Sequence, residues 1–161
     1  MERPVTVARG MLTADDLIVG HVFRLGEHTP TRNEIVEYAT AWDPQPFHTD
    51  IEAARTGYFG DVIASGVHTL GIFQRLAVES VYSRLDVLAG RSLQSVRFLK
   101  PVLQARTLTG SVTVAEVDLS SEIRAPVLLH GTLCDLEGTD VFTVDVDVII
   151  WRRRGREGMR A

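Results

Sequence analysis

The segment Ala41-Trp42-Asp43-Pro44-Gln45-Pro46-Phe47-His48 sets a carboxylate and, five residues later, an imidazole across a loop stiffened by two prolines. Proline narrows the conformations open to the chain before folding, so such a loop can aim two side chains at one point with little further ordering. An imidazole with an ordinary pKa of roughly 6.5 exchanges protons near neutral pH. A neighbouring carboxylate can orient that ring or share a water with it. The spacing alone is a weak signal. Asp43 also suits the last turn of a helix, and His48, just before Thr49-Asp50, also suits an exposed loop.

A second segment strengthens the reading. Asp61-Val62-Ile63-Ala64-Ser65-Gly66-Val67-His68-Thr69 opens the most apolar helical stretch of the chain. The first N–H groups of a helix have no partner within it and carry the positive end of its dipole. Glycine at that point lets a ligand come close to the backbone. A helix start enclosed in the fold is therefore an expected oxyanion site. An acid–base pair beside an oxyanion donor suits the addition of water across a double bond conjugated to a carbonyl. His68 has two open readings: it lines the same pocket, or it bonds a backbone carbonyl within the first turn. Asp43, His48 and His68 lack the spacing of a metal-ligand set, so no metal is assigned.

Several elements must hold these groups. A weak alternation from His21 to Leu25 suggests a first strand. Thr31-Arg32-Asn33-Glu34 reads as a capping box opening a helix, with Ile35, Tyr38, Ala39 and Trp42 on one buried face. Pro44 and Pro46 end it. Thr49 or Asp50 caps a short helix through Arg55, stopped by Gly57. The long helix runs from about Gly66 to Arg84 and is apolar nearly all round, so other structure must enclose it. The rest reads as strands: Ser92 to Leu99, one marked by Val112, Val114 and Val117, another by Val127, Leu129 and Leu133, and Val141 to Trp151. Val144-Asp145-Val146-Asp147-Val148 alternates strictly, as a strand with one buried face does. Gly138 marks the hairpin turn between the last two. Helices followed by strands imply an α+β fold, with an antiparallel sheet curled around the long helix.

The 161 residues suit one domain, and a net charge of −4 argues against a general nucleic-acid binder. The one cysteine, Cys134, falls in a strand and is expected as a buried structural thiol. No apolar run is long enough to span a bilayer, and no secretory signal is visible. The expectation is a cytoplasmic protein with no membrane partner. The first ten residues are expected to be loosely held.

Trp42-Asp43-Pro44-Gln45-Pro46-Phe47-His48-Thr49-Asp50, with Tyr58-Phe59-Gly60 and Ile63-Ala64-Ser65-Gly66-Val67-His68-Thr69, resembles the hydratase motif of MaoC-like dehydratases. Ser95-Val96-Arg97-Phe98-Leu99-Lys100-Pro101-Val102 resembles the strand that follows the central helix in that family. The likeness runs with gaps from about Val22 to Ile150. It implies a hotdog fold with its active site at a dimer interface, a homodimer or higher even oligomer. It implies that Asp43 and His48 bind and activate water, and that Gly66 donates its N–H to a thioester oxygen. The implied reaction interconverts trans-2-enoyl and 3-hydroxyacyl thioesters of coenzyme A or acyl carrier protein, with no metal or redox cofactor. Ser65, His68, Gln74 and Phe47 are the expected substrate-binding residues. Three positions depart from the pattern. Gln45 replaces an asparagine, Ser65 replaces a histidine, and Gln74 stands where some hydratases carry a serine.

Two rival readings accompany this one. Hotdog thioesterases use a carboxylate on the central helix, where Glu79 is the only acid, far past the helix start and placed to pair with Arg75. A non-catalytic hotdog subunit that binds acyl thioesters is the other, with Gln74 closing the pocket. The basic run Trp151-Arg152-Arg153-Arg154-Gly155-Arg156 reads as a flexible solvated tail, or alternatively as a clamp for coenzyme A phosphates.

Overall fold

The computed structural model describes residues 11–158. The first ten residues, expected to be loosely held, lie outside the described residues, as do the last three. The order is β1 (Val22–Arg24), α1 (Arg32–Trp42), α2 (Pro46–Thr49), α3 (Ile51–Thr56), α4 (Gly66–Ser80), β2 (Val87–Phe98), β3 (Leu108–Val117), β4 (Arg124–Asp135), β5 (Asp140–Trp151) and α5 (Arg153–Gly158). The strands form one antiparallel sheet in the order β1-β3-β4-β5-β2. This is the expected α+β arrangement.

The alternation in β5 has its expected consequence. Val144, Val146, Val148 and Ile150 are buried while Asp145 and Asp147 face outward. β4 repeats the pattern with Val127, Leu129 and Leu133. Gly138, at φ 81°, makes the turn between them, and Asp135 Oδ1 accepts from the Glu137 and Thr139 amides at 3.0 and 2.9 Å. Cys134 points to the opposite face and is half-buried, not buried.

α4 lies across the buried face. Its Phe73, fully enclosed, sits directly over Gly131 of β4, where a Cβ would come within 2.2 Å of the ring. Only glycine permits that approach. Phe73 meets Phe142 of β5 (5.6 Å between centroids), and Phe142 meets Phe98 of β2 (5.7 Å). An aromatic chain thus runs from the core toward the start of α4.

Four further expectations change. Trp42 is 76% exposed, so the buried face of α1 rests on Ile35 and Ala39. The long helix ends at Ser80, and Tyr82–Arg84 is a separate 3₁₀ turn. Within this chain α4 is not fully enclosed: Val67, Gly71, Gln74 and Val78, spaced along one helical stripe, are exposed. Finally, the basic run is not a solvated tail. Arg152 pairs with Asp15 (2.7 Å), Arg153 with Asp16 (2.6 Å), Arg156 with Asp86 (2.5 Å), and Arg154 with Glu122.

Candidate active site

α1 delivers Asp43. Thr31 Oγ1 accepts from the Glu34 amide at 3.1 Å and caps the helix start. The reciprocal half of the capping box is not made, because the Glu34 carboxylate is turned to His28 and His68. At the other end Asp43 is the C-cap, its N–H bonded to the Ala39 carbonyl at 2.8 Å. Pro44 then stops the helix, and Pro46 opens α2, a position where its missing N–H is no loss. The expected loop is therefore a four-residue helix, and it carries His48.

His48 is 4% exposed. Its Nδ1 lies 2.7 Å from the Ile63 carbonyl oxygen, and its Nε2 lies 3.5 Å from Asp43 Oδ2. A carbonyl oxygen only accepts, so Nδ1 carries the ring proton and the neutral ring presents its lone pair at Nε2. With the proton on Nδ1 and the Asp43 carboxyl ionised, neither Nε2 nor Oδ2 has a hydrogen to donate, and at 3.5 Å the two acceptors can share one water between them. Asp43 Oδ1 accepts from Gln45 Nε2 at 2.8 Å. The Gln45 amide, and after it the Ser65 hydroxyl, hold the Asp43 carboxyl below the usual carboxylate range.

Ser65, wholly buried, caps α4: its Oγ accepts from the Val67 and His68 amides at 3.2 and 3.5 Å. The Thr69 amide bonds the Ser65 carbonyl at 2.9 Å. Among the described residues the Gly66 amide is left as the one N–H of the first turn without an acceptor. A Cβ at Gly66 would come within 2.8 Å of the Phe98 ring. The glycine therefore admits Phe98 as well as exposing its N–H. A bulge between Gln94 and Arg97, with Ser95 at φ 51°, directs this end of β2.

His48, Gly66, Thr69, Phe98 and Lys100 share one cleft of about 260 Å³. It brings together a buried base, a free backbone donor and an exposed cation, while the Asp43 carboxylate stands 3.5 Å from the base without lining the cleft itself. Such a set can move a proton and stabilise negative charge on a carbonyl oxygen.

Not every residue singled out in the sequence joins them. Phe47 packs edge-on against His48 (4.3 Å between centroids) but lines a neighbouring groove with Tyr58 and Phe59. Gln74 lines a separate groove of about 500 Å³ between α4 and β2, with Val78, Tyr82 and Leu93. His68 follows neither of its two readings. It is 5% exposed, bonded through Nε2 to Glu34 Oε1 at 3.2 Å, and stacked on Tyr38. Conversely, the Ile63 carbonyl, Phe98 and Lys100 were not singled out. Only the Gln45–Asp43 contact had a local signal, since it joins residues two apart.

The sheet order, the antiparallel pairing and the single long helix across the sheet define a hotdog fold. The model of the MaoC-like domain matches residues 17–127, and the chain belongs to that family. It is similar to a MaoC-like dehydratase from Rhodospirillum rubrum, at 32% identity over 88% of this chain and 98% of that one, with a TM-score of 0.78. It is also similar to a monoamine oxidase regulatory protein from Archaeoglobus fulgidus, at 27% identity over 90% and 97% of the two chains, with a TM-score of 0.82. The uncharacterized protein YdeM of Bacillus subtilis is 35% identical over 88 residues, which is 55% of this chain and 62% of YdeM. The chain thus matches less than two thirds of the length of that relative.

Proposed function

We propose that the protein is a hydratase/dehydratase interconverting trans-2-enoyl and 3-hydroxyacyl thioesters. The observation that carries this is the bond from His48 Nδ1 to the Ile63 carbonyl, which leaves Nε2 as a base in the cleft shared with the Gly66 amide. In the hydration direction His48 Nε2 takes a proton from water as the water oxygen bonds to C3. Asp43 fixes the water and the ring. The C2–C3 π electrons move toward the thioester carbonyl, whose oxygen gains negative charge and accepts from the Gly66 N–H. The proton held on His48 then passes to C2, so that water is added across the double bond. One oxyanion donor of this kind typically lowers the barrier by about 3–4 kcal/mol.

Lys100 is exposed, makes no ion pair among the described residues and stands at the cleft, where it suits the anionic part of a coenzyme A or acyl carrier protein thioester. The C-terminal arginines suit that role poorly, because carboxylates already occupy them. Glu79 is exposed, bonded to Arg75 at 3.0 Å and far along α4 from Gly66, which disfavours a helix-borne thioesterase carboxylate.

We take the working form to be a homodimer. β2 is an edge strand with Leu88, Leu93, Val96 and Phe98 all exposed, and Gln74 and Val78 of the open α4 stripe line the groove beside it. An exposed apolar edge of this length is unusual for a monomer. The deciding experiment follows the loss of enoyl absorbance with crotonyl-CoA and longer enoyl-CoA substrates, for the wild type, Asp43→Asn and His48→Ala. Hydration by the wild type and its loss in both variants is expected. Equal rates in all three, or release of free thiol in place of hydration, would overturn the assignment.

A further inference from the structure

Glu34, Tyr38 and His68 take no part in the chemistry above, yet they occupy the seam between the two helices that carry it. Glu34 and Tyr38 lie four residues apart on α1, and so on one face of it. Both grip His68 of α4. Glu34 Oε1 accepts from His68 Nε2 at 3.2 Å and from His28 Nε2 at 2.8 Å. The Tyr38 ring is stacked on the His68 imidazole, 4.4 Å between centroids and 10° between planes.

The hydrogen-bond accounting makes His68 unusual. Burial holds its pKa below the ordinary histidine range, against the pull of the Glu34 carboxylate. A neutral ring bonded to a carboxylate through Nε2 carries its proton there. Nδ1 is then a buried lone pair with no hydrogen-bond partner among the described residues. An apolar side chain would fill the position without that penalty, so the unsatisfied atom calls for a reason beyond packing.

The contacts lead to the site in both directions. From Tyr38, α1 runs on to Asp43, whose N–H is bonded one turn back to Ala39. From His68, the backbone N–H reaches Ser65 Oγ at 3.5 Å, and Gly66 lies between the two. The grip on His68 therefore spans from the helix that ends in the carboxylate to the turn that bears the free amide.

We propose that Glu34, Tyr38 and His68 are positioning residues, a clamp between α1 and α4 that sets where Asp43 stands relative to the Gly66 amide. This rests on the hydration reading. A displacement on the order of 1 Å at a reacting group can lower turnover by ~10²-fold, so a side chain that touches no substrate can govern the rate. Glu34→Ala is expected to lower kcat by about 10- to 100-fold with KM changed far less, and Glu34→Gln, which keeps an acceptor oxygen, to restore part of the loss. The same Glu34→Ala change in an Asp43→Asn background is expected to add little, because the group it positions is already gone. Equal fold-losses in both backgrounds would overturn the clamp in favour of a merely structural role. If Glu34→Ala does not fold, Tyr38→Leu removes the stack and leaves the Glu34–His68 hydrogen bond, and is read by the same cycle. A readout without turnover separates this inference from the hydration reading. In ¹⁵N-labelled protein, Glu34→Ala or Tyr38→Leu should shift the amide resonances of both Asp43 and Gly66. Unmoved resonances would sink the clamp even if the wild type is an active hydratase. An inactive wild type whose Asp43 and Gly66 resonances do move would sink the hydration reading alone.

Discussion

The Nδ1 atom of His48 lies 2.7 Å from the carbonyl oxygen of Ile63, fifteen residues further along the chain. The bond ties α2 to the segment leading into α4, and it decides which ring nitrogen is free. His48→Ala removes both the base and the partner of a buried carbonyl. It should lower turnover by about 10²- to 10⁴-fold and stability by about 1–3 kcal/mol. His48→Asn, whose amide nitrogen can replace Nδ1, should recover stability but not turnover. Enoyl absorbance and thermal melting, measured on the same preparations, separate the two effects.

The Gly66 amide can be deleted without breaking the helix. Proline is well tolerated at the first helical position, and Ser65, at φ −58° and ψ 149°, already has the backbone that a residue before proline prefers. The obstacle is the Phe98 ring, so the substitution is paired with Phe98→Ala. Gly66→Pro/Phe98→Ala should turn over about 10²- to 10³-fold more slowly than Gly66→Ala/Phe98→Ala. Comparable rates in the two would show that the amide stabilises no developing charge.

Gln45 is predicted to tune Asp43. Its amide is the main reason that the Asp43 carboxyl lies below the usual range, with the Ser65 hydroxyl next and desolvation opposing both. Gln45→Leu should therefore move the Asp43 titration to higher pH, as followed by carboxyl ¹³C NMR. An acid limb of kcat/KM that belongs to Asp43 should move upward with it.

Asp15 and Arg152 give a prediction about acid stability. The Arg152 guanidinium holds the Asp15 carboxyl down to about 2, against desolvation. Between that value and the unfolded value of about 3.9, the unfolded chain binds more protons than the folded one. The stabilisation is thus fully present above the unfolded pKa and is lost as pH falls through the folded one. Arg152→Ala should remove the larger part of this stabilisation, the Arg153 amide still donating to Asp15, and so lower stability at pH 7 and flatten its decline between pH 4 and 2 in urea-unfolding series.

Lys100→Ala should raise KM for a coenzyme A thioester with little change in kcat, and should reduce the salt dependence of kcat/KM. Arg154→Ala, which removes a guanidinium already paired with Glu122, serves as the control and should leave both unchanged.

Much of this protein was legible in its residue order. The strict alternation of Val144 to Val148 determined a one-sided strand, because the side-chain period of a strand is two. Pro44 and Pro46 determined the end of α1, and the Asp43–His48 spacing allowed the two groups to meet without requiring it. These are local consequences of covalent geometry and water. The tertiary structure decided what depended on distant partners. Glu34 has a local use in a capping box, but His28 and His68, the latter thirty-four residues away, take its carboxylate instead. Glu157 directly follows the C-terminal arginines, yet it is Asp86, seventy residues back, that holds Arg156. Phe47 and Gln74 were placed beside the site by their position in a motif, and the packing of α4 on β2 turned Gln74 into another groove. Phe98 meets Gly66 only because the sheet folds β2 back beside the start of α4. The residue order supplied the reacting groups, and packing between distant segments decided which of them meet.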